Sequence, residues 1–240
     1  MSIGLVVPCF NEADRWDHDY WSGLFSIEGT SWLLVDDGST DTTFSMLSDH
    51  LDDNVRALAL TRNSGKGEAV RQGLLRLADS EQTWIGFIDA DGAFTGDEVG
   101  RFVSLCHGTP SAVKAIWSSR VRMRGRSIQR SASRHAVGRS IATALSLRYS
   151  RLPYDSQAGL KLFKLNSELR RALSAPFRTR WLFDVELYAR LEGEYATDPE
   201  WLWEEPLDSW RHIPGSKISV HEAGKISAEI VRLLAFRART

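Results

Sequence analysis

Trp84-Ile85-Gly86-Phe87-Ile88-Asp89-Ala90-Asp91-Gly92 is an apolar run that stops abruptly on two carboxylates one residue apart. A short apolar stretch bounded by polar residues reads as a buried strand, here Thr83 to Ile88, and in extended chain the side chains at i and i+2 share a side. Asp89 and Asp91 therefore project together from a strand end. Oxygen ligands so arranged suit a hard divalent cation, Mg²⁺ or Mn²⁺, which can bridge the protein to a diphosphate and offset the charge developing on a leaving group. A D-x-D pair recurs by chance in many proteins, so its meaning comes from its surroundings.

Outward toward the N-terminus, Gly4 to Pro8, Ser31 to Asp36 and Val55 to Leu60 repeat the pattern, each apolar and each ending in polar residues. Between them Asp41 to Leu51 and Gly67 to Ala78 show helical spacing, the latter with Ala69, Val70, Leu74 and Leu77 able to share a face; Asp97 to Leu105 is a shorter helix. Alternating strands and helices predict an α/β fold, a single Rossmann-like domain with a mostly parallel central sheet flanked by helices. Ligands of such sheets gather beyond the carboxyl ends of the strands. Toward the C-terminus the pattern gives a strand at Ala112 to Trp117 and a helix from about Ser133 to Tyr149, and the rest reads as irregular. With no repeat, linker or low-complexity stretch, one domain is expected over residues 1–240, in a first half (1–110), a second half (111–220) and an amphipathic C-terminal helix (221–240).

Three further strand ends carry polar groups. Val7-Pro8-Cys9-Phe10-Asn11-Glu12 reads on its own as a strand end followed by a helix N-cap, because Asn commonly caps helices. In Val35-Asp36-Asp37-Gly38-Ser39-Thr40-Asp41 the tail caps the next helix. The adjacent carboxylates repel each other and gain nothing as caps, so at least one is expected to meet a ligand's ring nitrogen, hydroxyl or metal. Arg62-Asn63-Ser64-Gly65-Lys66-Gly67 places a lysine between glycines at a helix N-terminus, where free N–H groups and the helix dipole favour phosphate. The G-x-x-x-x-G-K-[ST] frame of a Walker A loop is missing, which disfavours a nucleoside triphosphatase.

The 240 residues are 42% hydrophobic and 25% charged, with a net charge of −1 that is unevenly spread. Nine arginines and no carboxylate lie between Arg120 and Tyr154, so the rest of the chain carries −10. Such a basic strip suggests an anionic partner, and no nucleic acid is expected. Guanidinium pairs bidentately with phosphate, which makes Arg120, Arg126, Arg130 and Arg134 candidates for a phosphate of that partner. Cys9 and Cys106 have no second Cys or His at metal-ligand spacing and read as reduced and structural. No apolar run reaches the length of a membrane span and no signal-peptide pattern opens the chain, so a cytoplasmic protein is expected. Glu222 to Arg239 is amphipathic and either packs on the body or, with the arginine strip, makes peripheral contact at the inner face of a membrane.

Strand-P-x-F-N-E, then V-D-D-G-S-T-D, then N-x-G-K-G, then D-A-D-G, each at a strand end, resembles the family 2 glycosyltransferases of GT-A fold. The likeness continues through Ser118-Ser119-Arg120, Asp155-Ser156-Gln157-Ala158-Gly159-Leu160-Lys161-Leu162-Phe163 and Arg180-Trp181-Leu182-Phe183-Asp184-Val185-Glu186-Leu187. Within the family these motifs look like those of dolichyl-phosphate glucosyltransferases and other polyprenyl-phosphate enzymes. The resemblance implies an inverting, metal-dependent hexosyltransferase using a nucleotide diphosphate sugar, with a UDP-sugar favoured as donor and a polyprenyl phosphate as acceptor. It assigns Pro8, Asn11, Glu12, Asp36, Asp37, Asn63, Lys66 and Asp89 to the nucleotide, Asp91 with Asp89 to metal, and Asp155 and Gln157 to a catalytic or positioning role. By the same resemblance Lys217, in Gly215-Ser216-Lys217, is expected to approach phosphate and to join those arginines at an acceptor phosphate, with residues 1–110 as a nucleotide-sugar half and 111–220 as an acceptor half. An ionised lipid phosphate attacks without deprotonation, whereas a sugar hydroxyl would require Asp155 as base; both acceptors stay open at this point, as does a catalytically silent sugar-nucleotide-binding protein. A nucleotidyltransferase would need a Gly-rich, Arg-containing loop after the first strand, which is missing.

Overall fold

The computed structural model describes residues 2–129, 151–213 and 228–235, together with Thr143, Leu145, Ser146, Arg148 and Tyr149. Its centre is a seven-stranded sheet built from β1 (Ile3–Cys9), β2 (Thr30–Asp36), β3 (Val55–Ala59), β4 (Trp84–Ile88), β5 (Ala115–Ser119), β7 (Leu160–Lys164) and β8 (Leu202–Pro206). The spatial order is β3-β2-β1-β4-β7-β5-β8. Every neighbouring pair is parallel except β4·β7 and β7·β5, so β7 alone among the described strands of this sheet runs backwards. This confirms the expected α/β class. A small second sheet pairs β6 (Ser127–Ile128) with β9 (Ser209–Trp210).

Period-two alternation sends strand side chains to two different cores. Val6, Val35, Phe87, Trp117 and Phe163 face a layer made by α3 (Lys66–Ala78), α5 (Ser167–Leu173) and α6 (Phe183–Glu194). Leu5, Val7, Leu34, Ile88 and Ile116 face α1 (His18–Phe25), α2 (Thr43–Ser48) and α4 (Gly96–Gly108). Asp17 starts α1 by accepting the Tyr20 N–H at 3.0 Å, and Asn166 starts α5 by accepting the Leu169 N–H at 2.9 Å. Each such cap contributes about 1 kcal/mol. Cys9 and Cys106 are both free and buried, and burial pushes the Cys106 thiol up to about 12.

The first four strands lie within one residue of their expected limits. The second half is a correction: what reads as irregular contains β7, α5, α6 and β8. The reason lies in its charges. Lys161 inside β7 and Asp184 and Glu186 inside α6 are all buried, so the apolar periodicity is broken by ionic residues that nevertheless face the core. Most of the expected 133–149 helix, and residues 214–227 and 236–240 of the C-terminal segment, lie outside the described residues; residues 228–234 are helical. No helix of the described residues is long and apolar enough to cross a membrane.

The reversed β7 has one consequence for chemistry. The carboxyl ends of β1 to β5 and β8 and the amino end of β7 meet at a single edge of the sheet. Asn11, Asp37, Lys66, Asp89, Arg120, Asp155 and Arg211 are thereby gathered there from segments spread over 200 residues of chain.

Candidate active site

On the β1–β3 side, polar groups tie the loops to one another. Asn11 adopts φ 49°, donates its N–H to Ser39 Oγ at 2.9 Å and accepts the Thr40 N–H at 2.9 Å. The Glu12 N–H donates to Thr43 Oγ1 at 2.8 Å, and its carboxylate pairs with Arg15 at 2.5 Å. Pro8 lies within β1 opposite Val35. Asp36 accepts from the Ser39 N–H at 3.1 Å and from the Ser39 hydroxyl. Asp37 accepts the N–H groups of Ser64 and Gly65, each at 2.7 Å. Burial, the largest influence, leaves the Asp37 carboxyl above its ordinary range despite those bonds.

Two expectations change here. Adjacent carboxylates do gain something as local anchors, because Asp36 and Asp37 serve different loops. And two N–H groups of the turn before α3, those of Ser64 and Gly65, are taken by Asp37 rather than left for phosphate; Lys66 supplies the charge this turn offers an anion. Gly65 enters α3 at φ 95° with the Arg180 side chain lying over it, and Arg180 also donates to Asn63 Oδ1.

Asp89 follows β4. Its N–H donates to the Gly159 carbonyl at 3.0 Å, and its carboxylate lies against the Cα of Gly159, where an added Cβ would fall 2.2 Å from Asp89 Cγ. Lys66 Nζ lies 2.6 Å from Asp89 Oδ1, an ion pair not aligned as a hydrogen bond. Burial acts to lower the Lys66 pKa, but Asp89 and then Asp184 outweigh it and the net direction is up. Asp91 is exposed and takes the Ala93 N–H at 3.1 Å. Its carboxyl is pushed up by the protein packed around it and next by the charge of Asp89.

The pair fits a divalent cation. Asp89 Oδ1 is buried without a hydrogen bond, and the two carboxylates raise each other's energy in a way a cation relieves. Among the described residues no cluster of three or more His, Cys, Asp or Glu forms a complete cage. A Mg²⁺ ion commonly takes one or two carboxylates and completes its sphere with water and phosphate oxygens.

Arg211 completes this rim. Its Nε donates to the Gly92 carbonyl at 3.0 Å, its backbone N–H to the Ala93 carbonyl at 3.2 Å, and its guanidinium lies 5.9 Å from the centre of the Tyr20 ring. Burial first and Asp91 second push the Tyr20 hydroxyl up, and Arg211 opposes them. Sequence reading missed Arg211; the available signal was an arginine just ahead of the Gly215-Ser216-Lys217 motif.

On the other side of Asp89, Arg120 grips Asp155. Nε and Nη2 donate at 2.7 and 2.8 Å and the Arg120 N–H at 3.0 Å, while the Arg120 guanidinium stacks 5.2 Å from the Trp210 ring centre. Burial acts to lower the Arg120 pKa, but Asp155 and then Asp89 and Asp91 raise it, which places Arg120 in the field of those two carboxylates. Glu204 accepts the N–H groups of Tyr154 and Asp155 at 2.8 and 2.9 Å. Gln157 is exposed beside them. Splitting a buried pair like Arg120–Asp155 costs about 3–5 kcal/mol.

The arginine strip is therefore not acid-free in space. Arg126 pairs with Asp208 at 2.7 Å and donates to the Pro206 carbonyl at 2.7 Å, its carboxylate partner lying 82 residues away in the chain. Arg120 and Arg126 each already have a carboxylate partner. Arg130, Arg134 and Lys217 lie outside the described residues.

Behind the site is a charged pair whose importance sequence reading also missed. Lys161 Nζ lies 2.8 Å from Asp184 Oδ1, with the two side chains 0% and 5% exposed. Burial lowers the Lys161 pKa and raises that of Asp184.

With this geometry described, the chain can be set beside known proteins. A family model described as Glycosyl transferase family 2 matches residues 5–151. The chain is 26% identical over 263 residues to the dolichyl-phosphate beta-glucosyltransferase of Dictyostelium discoideum, covering 96% of this chain and 73% of that one. It is 29% identical over 233 residues to the Homo sapiens protein of the same name, covering 90% and 69%. Among solved structures, the mannosyl-3-phosphoglycerate synthase of Rubrobacter xylanophilus superposes with a TM-score of 0.69 at 16% identity, covering 98% of this chain and 72% of that one. The glucosyl-3-phosphoglycerate synthase of Mycobacterium tuberculosis, in complex with Mn²⁺, UDP and glucosyl-3-phosphoglycerate, superposes with a TM-score of 0.66 at 18% identity, covering 99% and 80%. These likenesses agree with the GT-A fold.

Proposed function

The chain belongs to glycosyl transferase family 2, and from that premise we propose that it transfers glucose from UDP-glucose to a polyprenyl phosphate, inverting the anomeric centre, at the sheet edge between Lys66, Asp89, Asp91 and Arg120. The acceptor phosphate oxygen forms a bond to the anomeric carbon as the bond from that carbon to the diphosphate breaks, and UDP leaves with the electron pair. Supporting glucose as the sugar and a polyprenyl phosphate as the acceptor class are the names of the relatives, which match over most of the chain; UDP as the nucleotide is suggested by the neighbouring glucosyl-3-phosphoglycerate synthase, whose structure holds it.

The observation that carries the choice of acceptor is the state of Asp155. Both its oxygens are engaged by Arg120 in a largely buried pair. An acceptor hydroxyl would need a base there, and freeing one would cost about 3–5 kcal/mol, roughly two to four powers of ten in rate. An acceptor phosphate is ionised at neutral pH and needs no base. Asp155 then acts as the anchor that sets the Arg120 guanidinium.

The task left to the protein is to bring two anions together. Asp91, with Asp89, would hold a Mg²⁺ or Mn²⁺ ion, which when bound neutralises the charge developing on the leaving diphosphate. Lys66 stands beside Asp89 as a second cation for that diphosphate. Arg211 is fixed through Nε to Gly92, so its Nη groups are presented at the same rim without a search through rotamers. On the β1–β3 side, Asn11, Glu12, Asp36 and Asp37 shape the loops that receive the nucleoside.

Incubation with radiolabelled UDP-glucose and a polyprenyl phosphate tests this. We expect solvent-extractable label that depends on Mg²⁺ or Mn²⁺, and Asp91→Asn should lose at least about 100-fold of that rate. Label appearing in water-soluble product would instead identify a soluble acceptor, and donor binding without turnover would identify a silent binding protein.

A further inference from the structure

Lys161 sits in the middle of β7, between Leu160 and Leu162, where an apolar side chain would satisfy the sheet. It is fully buried. Its ammonium group donates to the Ala158 carbonyl at 2.5 Å, lies 2.8 Å from Asp184 Oδ1 as an ion pair not aligned as a hydrogen bond, and sits 4.7 and 5.2 Å from the ring centres of Trp117 and Phe87. Replacing a buried ion pair by apolar residues of similar size is often neutral or stabilising, so packing alone gives no reason for this one.

Its connections do give a reason. Ala158 belongs to the loop that carries Asp155 and Gln157, so the ammonium holds that loop by its backbone. The next residue, Gly159, accepts the Asp89 N–H and lies against the Asp89 carboxylate. At the other end, Asp184 opens α6, whose Phe183 packs on Gly67 and lies 5.8 Å from Lys66 Nζ. One buried pair thus holds the acceptor-side loop directly and reaches Asp89 through Gly159 and Lys66 through Phe183.

We propose that Lys161 and Asp184 are a positioning pair that fixes the 155–159 loop and, through Gly159, aims the Asp89 carboxylate, keeping the donor and acceptor halves of the site in register. This rests on the reading of Asp89 and Asp155 as parts of one transferase site. Residues that support a metal ligand from behind typically change activity about 10- to 100-fold when removed.

The test is the full-length double variant Lys161→Met with Asp184→Leu, which leaves no unpaired buried charge. Three readouts are compared with wild type: kcat and KM for glucose transfer, calorimetric UDP affinity without metal, and amide exchange of peptides spanning 86–92 and 155–164. We expect a fold that melts at least as high as wild type within a few degrees, a kcat about 10- to 100-fold lower, and UDP affinity changed less than about threefold. Exchange should quicken in those two peptides. A kcat equal to wild type in the folded double variant would show the pair to be structural only and overturn the proposal, as would parallel losses of kcat and UDP affinity. Should the double variant not fold, Asp184→Glu keeps the charge and displaces it by one methylene; lower kcat with unchanged UDP affinity supports the proposal, and unchanged kcat refutes it. Wild-type protein without any turnover would overturn the glucose-transfer reading, and exchange in the double variant would then decide the positioning claim.

Discussion

His50 packs among Trp16, His18 and Phe25 on the α1 side of the sheet. Its Nε2 accepts the Trp16 Nε1–H at 2.9 Å, so that nitrogen must be unprotonated in the folded protein. Burial first, then His18, lowers its pKa below the ordinary value, and Asp49 opposes them only partly. The sign follows from linkage. Above about 6.5 the imidazole is neutral in both folded and unfolded chains. As pH falls through that value the unfolded chain binds a proton that the folded one resists, so stability is lost on acidification. The slope from one such group reaches at most about 1.4 kcal/mol per pH unit. In His50→Gln the amide oxygen can accept from Trp16 but does not titrate. Urea midpoints at pH 7.5 and 5.5 should converge in this variant relative to wild type; an unchanged difference would acquit His50 as a source of acid sensitivity.

At the scale of elements, the junction of β4 and β7 decides the site, and it depends on a missing side chain. A Cβ on Gly86 would lie 2.2 Å from the Lys161 carbonyl and 2.7 Å from Leu162 Cδ2. Gly86→Ala must therefore push β7 away from β4, and overpacking of that kind typically costs about 1–3 kcal/mol. We expect this variant to lose stability by that amount in urea titration and to lose transfer activity more steeply, because Asp89 and Gly159 stand at the end of the same ladder. Wild-type stability would mean the strands are less tightly paired than their register implies.

The β1 to β4 strands and α3 were legible because their apolar residues follow one period without interruption. The helix α1 was not, since His18-Asp19-Tyr20-Trp21-Ser22-Gly23 has little helix preference, and its existence depends on the Asp17 cap and on burial of Trp21, Leu24 and Phe25. Of the site, the carboxylates and Lys66 could be seen as strand-end residues. The partners of Arg120 and Arg126 could not. Asp155 and Asp208 lie 35 and 82 residues downstream, and only the reversal of β7 and the return of β9 bring them to the same edge.

At the scale of the whole molecule, the proposed lipid-phosphate acceptor would have to reach the edge where β4, β5 and β7 meet, and the surface there carries exposed basic and apolar side chains. Arg122, Met123 and Arg124 follow β5 and are exposed, Met123 to 50%, and Tyr154, 40% exposed, stands beside Asp155 with Arg151 nearby in the chain. A methionine between two arginines can enter the headgroup layer while the charges stay at its surface, each basic group contributing about 1 kcal/mol near an anionic leaflet. Arg120 and Arg126 are already paired, so the attraction should be smaller than nine arginines suggest and should depend strongly on salt. We expect sedimentation with anionic vesicles at about 0.01 M salt, where charges act over roughly 30 Å, and release near 1 M, where the range is roughly 3 Å. Met123→Asp should weaken the low-salt binding and raise KM for a vesicle-borne polyprenyl phosphate while leaving turnover with a short water-soluble polyprenyl phosphate intact. Equal sedimentation of Met123→Asp and wild type would show that this edge is not the membrane-facing one, and the acceptor would then have to enter from another side of the sheet.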